Sequence, residues 1–180
     1  VTGFIMTLLA PNVDARFFEI VSYSILKNYY KDINIYWGFT PEIKKLKKDY
    51  LHLYKTGRTN ANDGGIDFVM KPLGRFFQVT ETLDFKKYFL DIEKIERYPL
   101  SFVIKSEEST EDIIEKLKTE ALKTYVIQKV VDDYLGCIEE IINIPQLKNY
   151  LEELDKRNMV TDVLKEIILQ SKVEFNYDDD

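Results

Sequence analysis

IDFVMKPLGRFFQVT, the stretch from Ile66 to Thr80, consists of two short apolar segments on either side of a turn. Residues 66–70 and 75–80 are rich in the β-branched and aromatic side chains that favour strands. The intervening Lys71-Pro72-Leu73-Gly74 contains the Pro and Gly that are typical of a turn. We therefore predict an antiparallel hairpin with a four-residue loop.

The register of this hairpin determines which side chains meet. If Met70 pairs with Arg75, Asp67 lies opposite Gln78. Side chains alternate between the two faces of a strand, so one face is apolar and is expected to be core, while the other is more polar. The core face carries Ile66, Phe68, Met70, Phe77 and Val79, and the other face carries Asp67, Val69, Phe76, Gln78 and Thr80.

The residues before the hairpin predict two helices and a strand. Asp14 to Tyr30 has apolar side chains at helical spacing, with Asn12 or Asp14 as N-cap. Residues 33–37 alternate in the manner of a strand. Pro41 is expected to begin a strongly basic helix that runs to about Leu53. Residues 57–65 form a polar loop.

The residues after the hairpin predict one further strand and several helices. A helix at about 84–96 precedes the buried strand 100–105. The order strand, strand, helix, strand implies a mixed sheet with a crossover. Ser109 or Thr110 then caps a long helix to about Gly136. Two or three helices follow, with breaks at Pro145 and near Asn158.

Composition limits the classes of protein and of site. The chain has 180 residues, 45% hydrophobic and 31% charged, which is typical of one soluble domain, with or without an appendage. One His and one Cys exclude a Cys/His zinc site, so any metal must be held by oxygen. The longest apolar runs are too short for a membrane span or a signal peptide, and the cytoplasm is the expected compartment. The sequence starts at Val1 rather than Met, which is compatible with further residues upstream.

The net charge of −6 is unevenly distributed along the chain. Residues 1–106 contain 16 basic and 12 acidic side chains, whereas residues 107–180 contain 9 and 19. An asymmetry of this size calls for separate interpretations of the two stretches. We predict an α/β core over residues 1–106 and an acidic helical extension over residues 107–180, which packs on the core or forms a dimer contact.

Asp67 is the first candidate for chemistry. A carboxylate in an apolar strand is costly to bury unless it is paired or binds a metal. Gln78 and Thr80 add an amide and a hydroxyl, and Mg²⁺ prefers such hard oxygen ligands when it assists phosphodiester hydrolysis. The alternatives are that Asp67 caps the 60–65 loop through backbone N–H groups and that Gln78 and Thr80 lie on a solvated strand face.

Longer strings around this hairpin resemble a known family. GRTNANDGGIDFVMKPLGRFFQVTE, preceded by DARFFEIVSYSILKNYY and followed by YFLDIEKIERYPLSFVIK, is similar to the ApaLI-like type II restriction endonucleases. The resemblance covers about residues 12–106. It implies a mixed central sheet of the restriction-endonuclease-like, or PD-(D/E)xK, type, flanked by helices and here followed by the helical C-terminal extension.

The resemblance also implies a metal site. Asp67 would be the bridging ligand, Gln78 would take the place of the usual Asp or Glu, and Thr80 that of the usual Lys. Because Asp67 alone would bind Mg²⁺ or Mn²⁺ weakly, a second carboxylate is expected from Glu19, Glu81 or Asp63. Thr80 cannot replace an ammonium, so Lys71 or Lys105 would supply the cation. Glu19 on a surface-lying helix and Lys105 at a strand end are alternatively solvated charges, and strand alternation directs Glu81 to the opposite face.

A basic stretch is the candidate DNA-binding surface. Residues 41–75 have a net charge of +4, with eight basic and four acidic side chains, which suits phosphate contacts. Arg and Asn can pair bidentately with base edges. The alternatives are a solvated helix face for the lysines at 44–48 and turn chemistry for the loop. The candidate residues are Lys55, Arg58, Asn60, Asn62, Lys71 and Arg75.

These inferences lead to one function and two alternatives. We expect a prokaryotic, cytoplasmic type II restriction endonuclease that hydrolyses duplex DNA with Mg²⁺ at a short site. Two-fold symmetric sites favour a homodimer. The alternatives are a repair or recombination nuclease of the same fold, and a non-catalytic DNA-binding or interaction module that has lost the metal site.

Overall fold

A five-stranded mixed sheet lies between helices in the computed structural model, which describes residues 1–57 and 66–176. The helices are α1 (Thr2–Thr7), α2 (Ala15–Tyr30), α3 (Phe85–Lys94), α4 (Thr110–Thr124), α5 (Gln128–Leu135), α6 (Ile144–Lys156) and α7 (Val160–Phe175). The strands are β1 (Asn34–Trp37), β2 (Lys47–Tyr50), β3 (His52–Lys55), β4 (Phe68–Lys71), β5 (Arg75–Thr80), β6 (Leu100–Ile104) and β7 (Ile138–Ile142).

The sheet has the order β3-β4-β5-β6-β7. The first three strands are antiparallel, and β6 and β7 each run parallel to the preceding strand. The predicted hairpin is confirmed with its register, since Met70 pairs with Arg75. Gly74 has a φ of 67°, a left-handed conformation that favours glycine in the turn. The predicted crossover is α3, which connects β5 to the parallel strand β6.

Both faces of the sheet are covered, and each has its own hydrophobic core. Phe68, Met70 and Phe77 pack with α2, α6 and α7 on one face. On the other face, β6 and side chains of α3, α4 and α5 form the second core, which contains Phe102 and Tyr88. Gln78 and Thr80 are consequently buried, which excludes the solvated strand face as their environment.

The prediction of a basic helix from Pro41 to Leu53 is wrong. The structure has a short 3-10 helix at Ile43–Lys45, followed by β2 and β3. Leu51 and Leu53 are buried, whereas His52 and Tyr54 are exposed. This alternation with period two is the signature of a strand. The lysines at 44–48 led to the wrong prediction, because they suggested the charged face of an amphipathic helix.

Residue 106 is not a boundary in the sheet. β7, which lies in the acidic stretch, pairs with β6, and α6 and α7 pack on α2 in the main core. The helix predicted to reach Gly136 ends at Thr124, and β7 was missed. Its sequence is IEEII. The two adjacent glutamates interrupt the alternation of apolar and polar residues that is typical of a strand. Asn158 has a φ of 58° between α6 and α7, as the predicted break there requires.

The pairing of β7 with β6 in one sheet predicts the effect of a substitution in β7. Ile142 is fully buried, so Ile142→Ala should lower the free energy of unfolding by about 2–5 kcal/mol. Ile114→Ala, at a position that is 41% exposed, is the matched control and should have little effect. Urea unfolding followed by circular dichroism measures both. Separate transitions for the two halves of the chain would contradict this description.

Candidate functional site

Asp67 lies immediately before β4, where it supports the end of the hairpin. Its backbone N–H donates to the carbonyl oxygen of Phe77 at 2.9 Å. One oxygen of its carboxylate accepts the backbone N–H of Val79 at 2.6 Å. Asp67 therefore caps β5 at the point where the ladder with β4 ends. Capping was the alternative to a catalytic role. The capped group seen here belongs to β5, and the 60–65 loop of that alternative lies outside the described residues.

Gln78 is a buried amide with an unsatisfied acceptor. The side chain is 6% exposed and shares the sheet face of its neighbour Phe102. Its Nε2 donates to the carbonyl oxygen of Val79 at 3.4 Å, while Oε1 has no hydrogen-bond partner among the described residues. An orphaned buried acceptor costs about 1–3 kcal/mol. A ligand atom or a metal at Oε1 would remove that cost.

Thr80 lies two residues further along the same strand face. Its side chain is 5% exposed, and its Oγ1 accepts the backbone N–H of Thr82 at 3.3 Å. The hydroxyl thus adds a polar atom near the carboxyl end of β5. The hydroxyl supplies no positive charge, so the charge that a lysine would supply at this position must come from another element.

Lys105 is the lysine nearest to Thr80 in the sheet. Its backbone N–H donates to the Thr80 carbonyl oxygen at 2.9 Å. Its Nζ donates to the Val13 carbonyl oxygen and forms an ion pair with Glu81, and the side chain is 6% exposed. The alternative of a solvated charge at a strand end is therefore wrong for Lys105. The ammonium and the Glu81 carboxylate belong to the α2 side, opposite Gln78, as the alternation predicted for Glu81.

Lys71 lies at the other end of β4 from Asp67. It pairs with His52 across the strands, and its ammonium is 5.5 Å from the centre of the Tyr54 ring. Four residues of strand separate Lys71 from Asp67, a distance of about 13 Å. Lys71 shares the strand face of Asp67, as predicted, but does not reach the same site.

Glu19 and Lys55 form an ion pair that is buried on both sides. Their side chains are 7% and 11% exposed, and the two charged atoms are 2.8 Å apart. Lys55 is the cross-strand partner of Phe68, so this pair also lies on the face covered by α2. The expectation that Glu19 lies on a surface helix is wrong, because α2 is packed between the sheet and α6 and α7. The pairing also removes Lys55 from the candidate phosphate contacts.

Arg75 is occupied by contacts within the protein. Its guanidinium forms ion pairs with Glu139 at 3.3 Å and with Glu140, and donates to Ser101 Oγ at 3.1 Å. Burial alone would lower the pKa of Arg75, but the hydrogen bond and charge of Glu140 raise it above its ordinary value. Arg75 thus ties the hairpin to β7 and is not placed for contact with DNA. Arg58, Asn60, Asn62 and Asp63 lie outside the described residues.

The described residues contain no group of three or more His, Cys, Asp or Glu side chains that could hold a metal ion. Glu19 and Glu81 are each engaged by a lysine. On β5, the Gln78 amide oxygen has no partner among the described residues, and the Thr80 hydroxyl lies two residues further along the strand. A cation at this position would thus depend on neutral ligands as well as on one carboxylate.

The ion pairs Glu19–Lys55 and Glu81–Lys105 were missed by the sequence analysis, because their partners are far apart in the chain. Asp91 is different, since it had a local signal. Its fully buried carboxylate is bound by Lys87 at 2.8 Å and by Lys94 at 3.1 Å. The spacings of four and three residues on a helix are those at which side chains meet.

Comparison with known proteins found no matching family model, no matching curated protein and no matching solved structure. Within the described residues, no helix is long and apolar enough to cross a membrane.

The Glu19–Lys55 pair makes a prediction about stability. Glu19→Gln leaves the Lys55 charge buried without its counter-ion and should cost about 3–5 kcal/mol. Adding Lys55→Met should recover much of that loss, because both charges are then absent. Glu120→Gln, in the exposed pair with Lys123, is the control and should leave stability nearly unchanged. Guanidinium titrations measure the effects, and a Glu19→Gln variant as stable as the parent would contradict the assignment.

Proposed function

We propose that this protein is a Mg²⁺-dependent endonuclease acting on duplex DNA, of the type II restriction class. The buried Gln78 amide, with its unsatisfied Oε1, is the observation that carries the proposal. It lies next to Val79, whose N–H binds the carboxylate of Asp67. An acceptor without a partner in the interior is explained when a bound cation or its water completes its coordination.

The element order supports this proposal. Along the chain, α2 is followed, after the β1 and β2 strands, by three antiparallel strands (β3, β4 and β5), a helix (α3) and a strand (β6) parallel to β5. This is the order of helix, hairpin, helix and strand on which the resemblance to the PD-(D/E)xK nucleases rests. Asp67 at the start of β4 and Gln78 on β5 occupy the positions that the resemblance implies for two metal ligands.

The oxygen donors fit a hard divalent cation in chemical type. Asp67 and Gln78 would hold Mg²⁺ or Mn²⁺, which prefer carboxylate, carbonyl and water oxygens. When bound, such a cation polarises the phosphate and lowers the pKa of a coordinated water. Lys105 lies at the end of β6, but its ammonium is paired with Glu81 on the side of the sheet opposite Gln78, so the positive charge that Thr80 does not supply would come from another residue.

A homodimer belongs to this proposal, because a two-fold DNA site is matched by a two-fold protein. An apolar groove between α1 and α7 supports it, and contiguous exposed apolar surface marks interaction sites. The groove is lined by Phe4, Leu8, Phe17, Leu164, Ile167 and Ile168. Sedimentation equilibrium should give a dimer, and Ile168→Glu should shift it towards monomer. A monomeric parent protein at micromolar concentration would contradict this part.

A second candidate is a DNA-binding module without catalysis. Two observations favour it: the described residues contain no three-membered ligand group, and lysines engage both Glu19 and Glu81. In this alternative, Asp67 only caps β5. The two candidates predict different effects of Mg²⁺ on bound DNA: the nuclease cleaves it, and the binding module leaves it intact.

Cleavage of plasmid or phage DNA distinguishes them. With Mg²⁺ or Mn²⁺, the parent protein should give discrete bands, and EDTA should abolish cutting. Asp67→Asn and Gln78→Ala should each lower the rate by about 10²–10³-fold, as the loss of a group acting at the reacting centre does. Asp133→Asn, at an exposed position of α5, is the matched control and should cut normally.

One outcome contradicts the nuclease proposal, and another contradicts its metal site. Intact DNA with a shifted mobility in the presence of Mg²⁺ would establish the binding module instead. Undiminished cutting by Asp67→Asn would show that the metal site lies elsewhere in the chain. A smear of products rather than bands would keep a nuclease but exclude a restriction enzyme.

A further inference from the structure

β1 and β2 form a two-stranded antiparallel ribbon that is separate from the five-stranded sheet. Asn34 pairs with Tyr50, and Tyr36 pairs with Lys48. Because cross-strand partners point to the same side, these four side chains share one ribbon face. All four are exposed, with Tyr36 at 63% and Tyr50 at 46%. Two tyrosines of a soluble protein thus lie in solvent beside a lysine and an asparagine.

The opposite face of the ribbon faces the rest of the protein. Ile35 is partly buried against the main core. Trp37 packs at right angles to Phe39, with ring centres 6.3 Å apart, and the Lys47 ammonium is 5.6 Å from the Trp37 ring. At the base of the ribbon, Asp32 forms an ion pair with Arg157 at 2.5 Å. The ribbon is therefore anchored on one face and presents the other.

The ribbon and its connection have an excess of positive charge. Lys45 is paired with Glu42 at 2.6 Å, and Lys47 with Asp49 at 3.5 Å. The backbone N–H of Tyr50 keeps the pKa of Asp49 below its ordinary value, so Asp49 stays ionised and balances Lys47. Lys44 and Lys48 have no ion-pair partner within residues 1–57 and 66–176. Two ammonium groups without a counter-ion among these residues thus lie on the ribbon and its connection, in a chain with a net charge of −6.

We propose that this ribbon enters the major groove of duplex DNA, an inference that rests on the proposed function. The major groove, about 12 Å wide, admits a two-stranded β-ribbon. Four residues of strand span about 14 Å, the rise of about four base pairs. Asn34 and the two tyrosine hydroxyls face the base edges, and Lys44 and Lys48 lie towards the phosphates.

The chemistry of the face favours duplex DNA over other partners. Lysine is depleted from protein–protein interfaces, whereas phosphate binding depends on Lys and Arg. The major groove of an RNA duplex is too narrow and deep for a ribbon. Tyrosines that stack on single-stranded bases are the competing arrangement, and it is one of the outcomes of the test.

The position of the ribbon is compatible with the candidate site. β2 leads through Leu51 into β3, and the far end of β3, Lys55, pairs with Phe68, the residue after Asp67. Ribbon and Asp67 are thus separated by the length of β3, about 14 Å. One helical turn of duplex spans about 34 Å, so a single DNA molecule can contact both.

The test is binding of the full chain to a 30-base-pair duplex of mixed sequence in EDTA, measured by fluorescence anisotropy at several salt concentrations. Lys48→Gln should reduce the slope of log K against log salt by about 1, and Lys44→Gln/Lys48→Gln by about 2. The double variant should bind about tenfold more weakly. Lys129→Gln, which removes an exposed lysine of α5, is the matched control and should bind as the parent does. Thermal melting checks that each variant is folded.

A second probe identifies the groove. A duplex whose cytosines carry glucosylated hydroxymethyl groups has an obstructed major groove and should bind at least about tenfold more weakly than the plain duplex. Tyr36→Ala/Tyr50→Ala should reduce this preference. Equal affinity for both duplexes, tighter binding of the single strand, or parent-like binding by the double lysine variant would each overturn the inference. So would a parent protein that binds no duplex.

Failure of this inference differs from failure of the proposed function. If the ribbon variants bind and cut as the parent does, the ribbon is not the DNA contact and the nuclease proposal stands. If the ribbon variants lose binding but neither the parent protein nor any variant cuts DNA with Mg²⁺, the ribbon inference stands and the nuclease proposal fails.

Discussion

β5 is hydrogen-bonded on both edges and covered on both faces, and the rest of the structure is arranged around it. Its antiparallel partner β4 and its parallel partner β6 satisfy the backbone, while α2 and α3 lie on opposite sides. No side chain of such a strand can avoid burial, so polar residues in it must find partners or bind ligands. Gln78 and Thr80 are the buried polar residues of β5 to which this constraint applies, and Asp67 lies at the end of the neighbouring strand.

Buried charges connect the chain segments that surround this strand. Glu19–Lys55 links α2 to β3, Glu81–Lys105 links the ends of β5 and β6, and Arg75–Glu140 links the hairpin to β7. Each pair joins residues that are 24 or more positions apart. Such pairs penalise any arrangement that separates the partners, because an unpaired buried charge is costly. They also explain why three cations proposed for a catalytic or DNA-binding role are engaged within the fold.

Prediction from sequence succeeded where the physical signal is local. The hairpin register follows from the loop length and the alternation of Phe68, Met70 and Phe77, and α2 follows from its apolar spacing and the Asp14 cap. Prediction failed where local signals conflicted. Four lysines between residues 44 and 48 suggested a helix, while the alternation of Leu51 and Leu53 belonged to a strand. β7 was missed because Glu139 and Glu140 interrupt its apolar pattern, and only pairing with β6 stabilises it as a strand.

Spacing along the chain was sufficient for the mixed α/β class, the hairpin register and the candidate residues Asp67, Gln78 and Thr80, because loop length and side-chain alternation act over a few residues. It placed Glu81 on the opposite face for the same reason. Only the tertiary structure decided that Gln78 is buried with an unsatisfied oxygen, that Glu19 is paired with Lys55 and the buried Lys105 with Glu81, and that residues 34–50 contain an exposed ribbon. These properties depend on which distant segments of the chain pack together, because that packing determines which side chains are buried and which charges are paired.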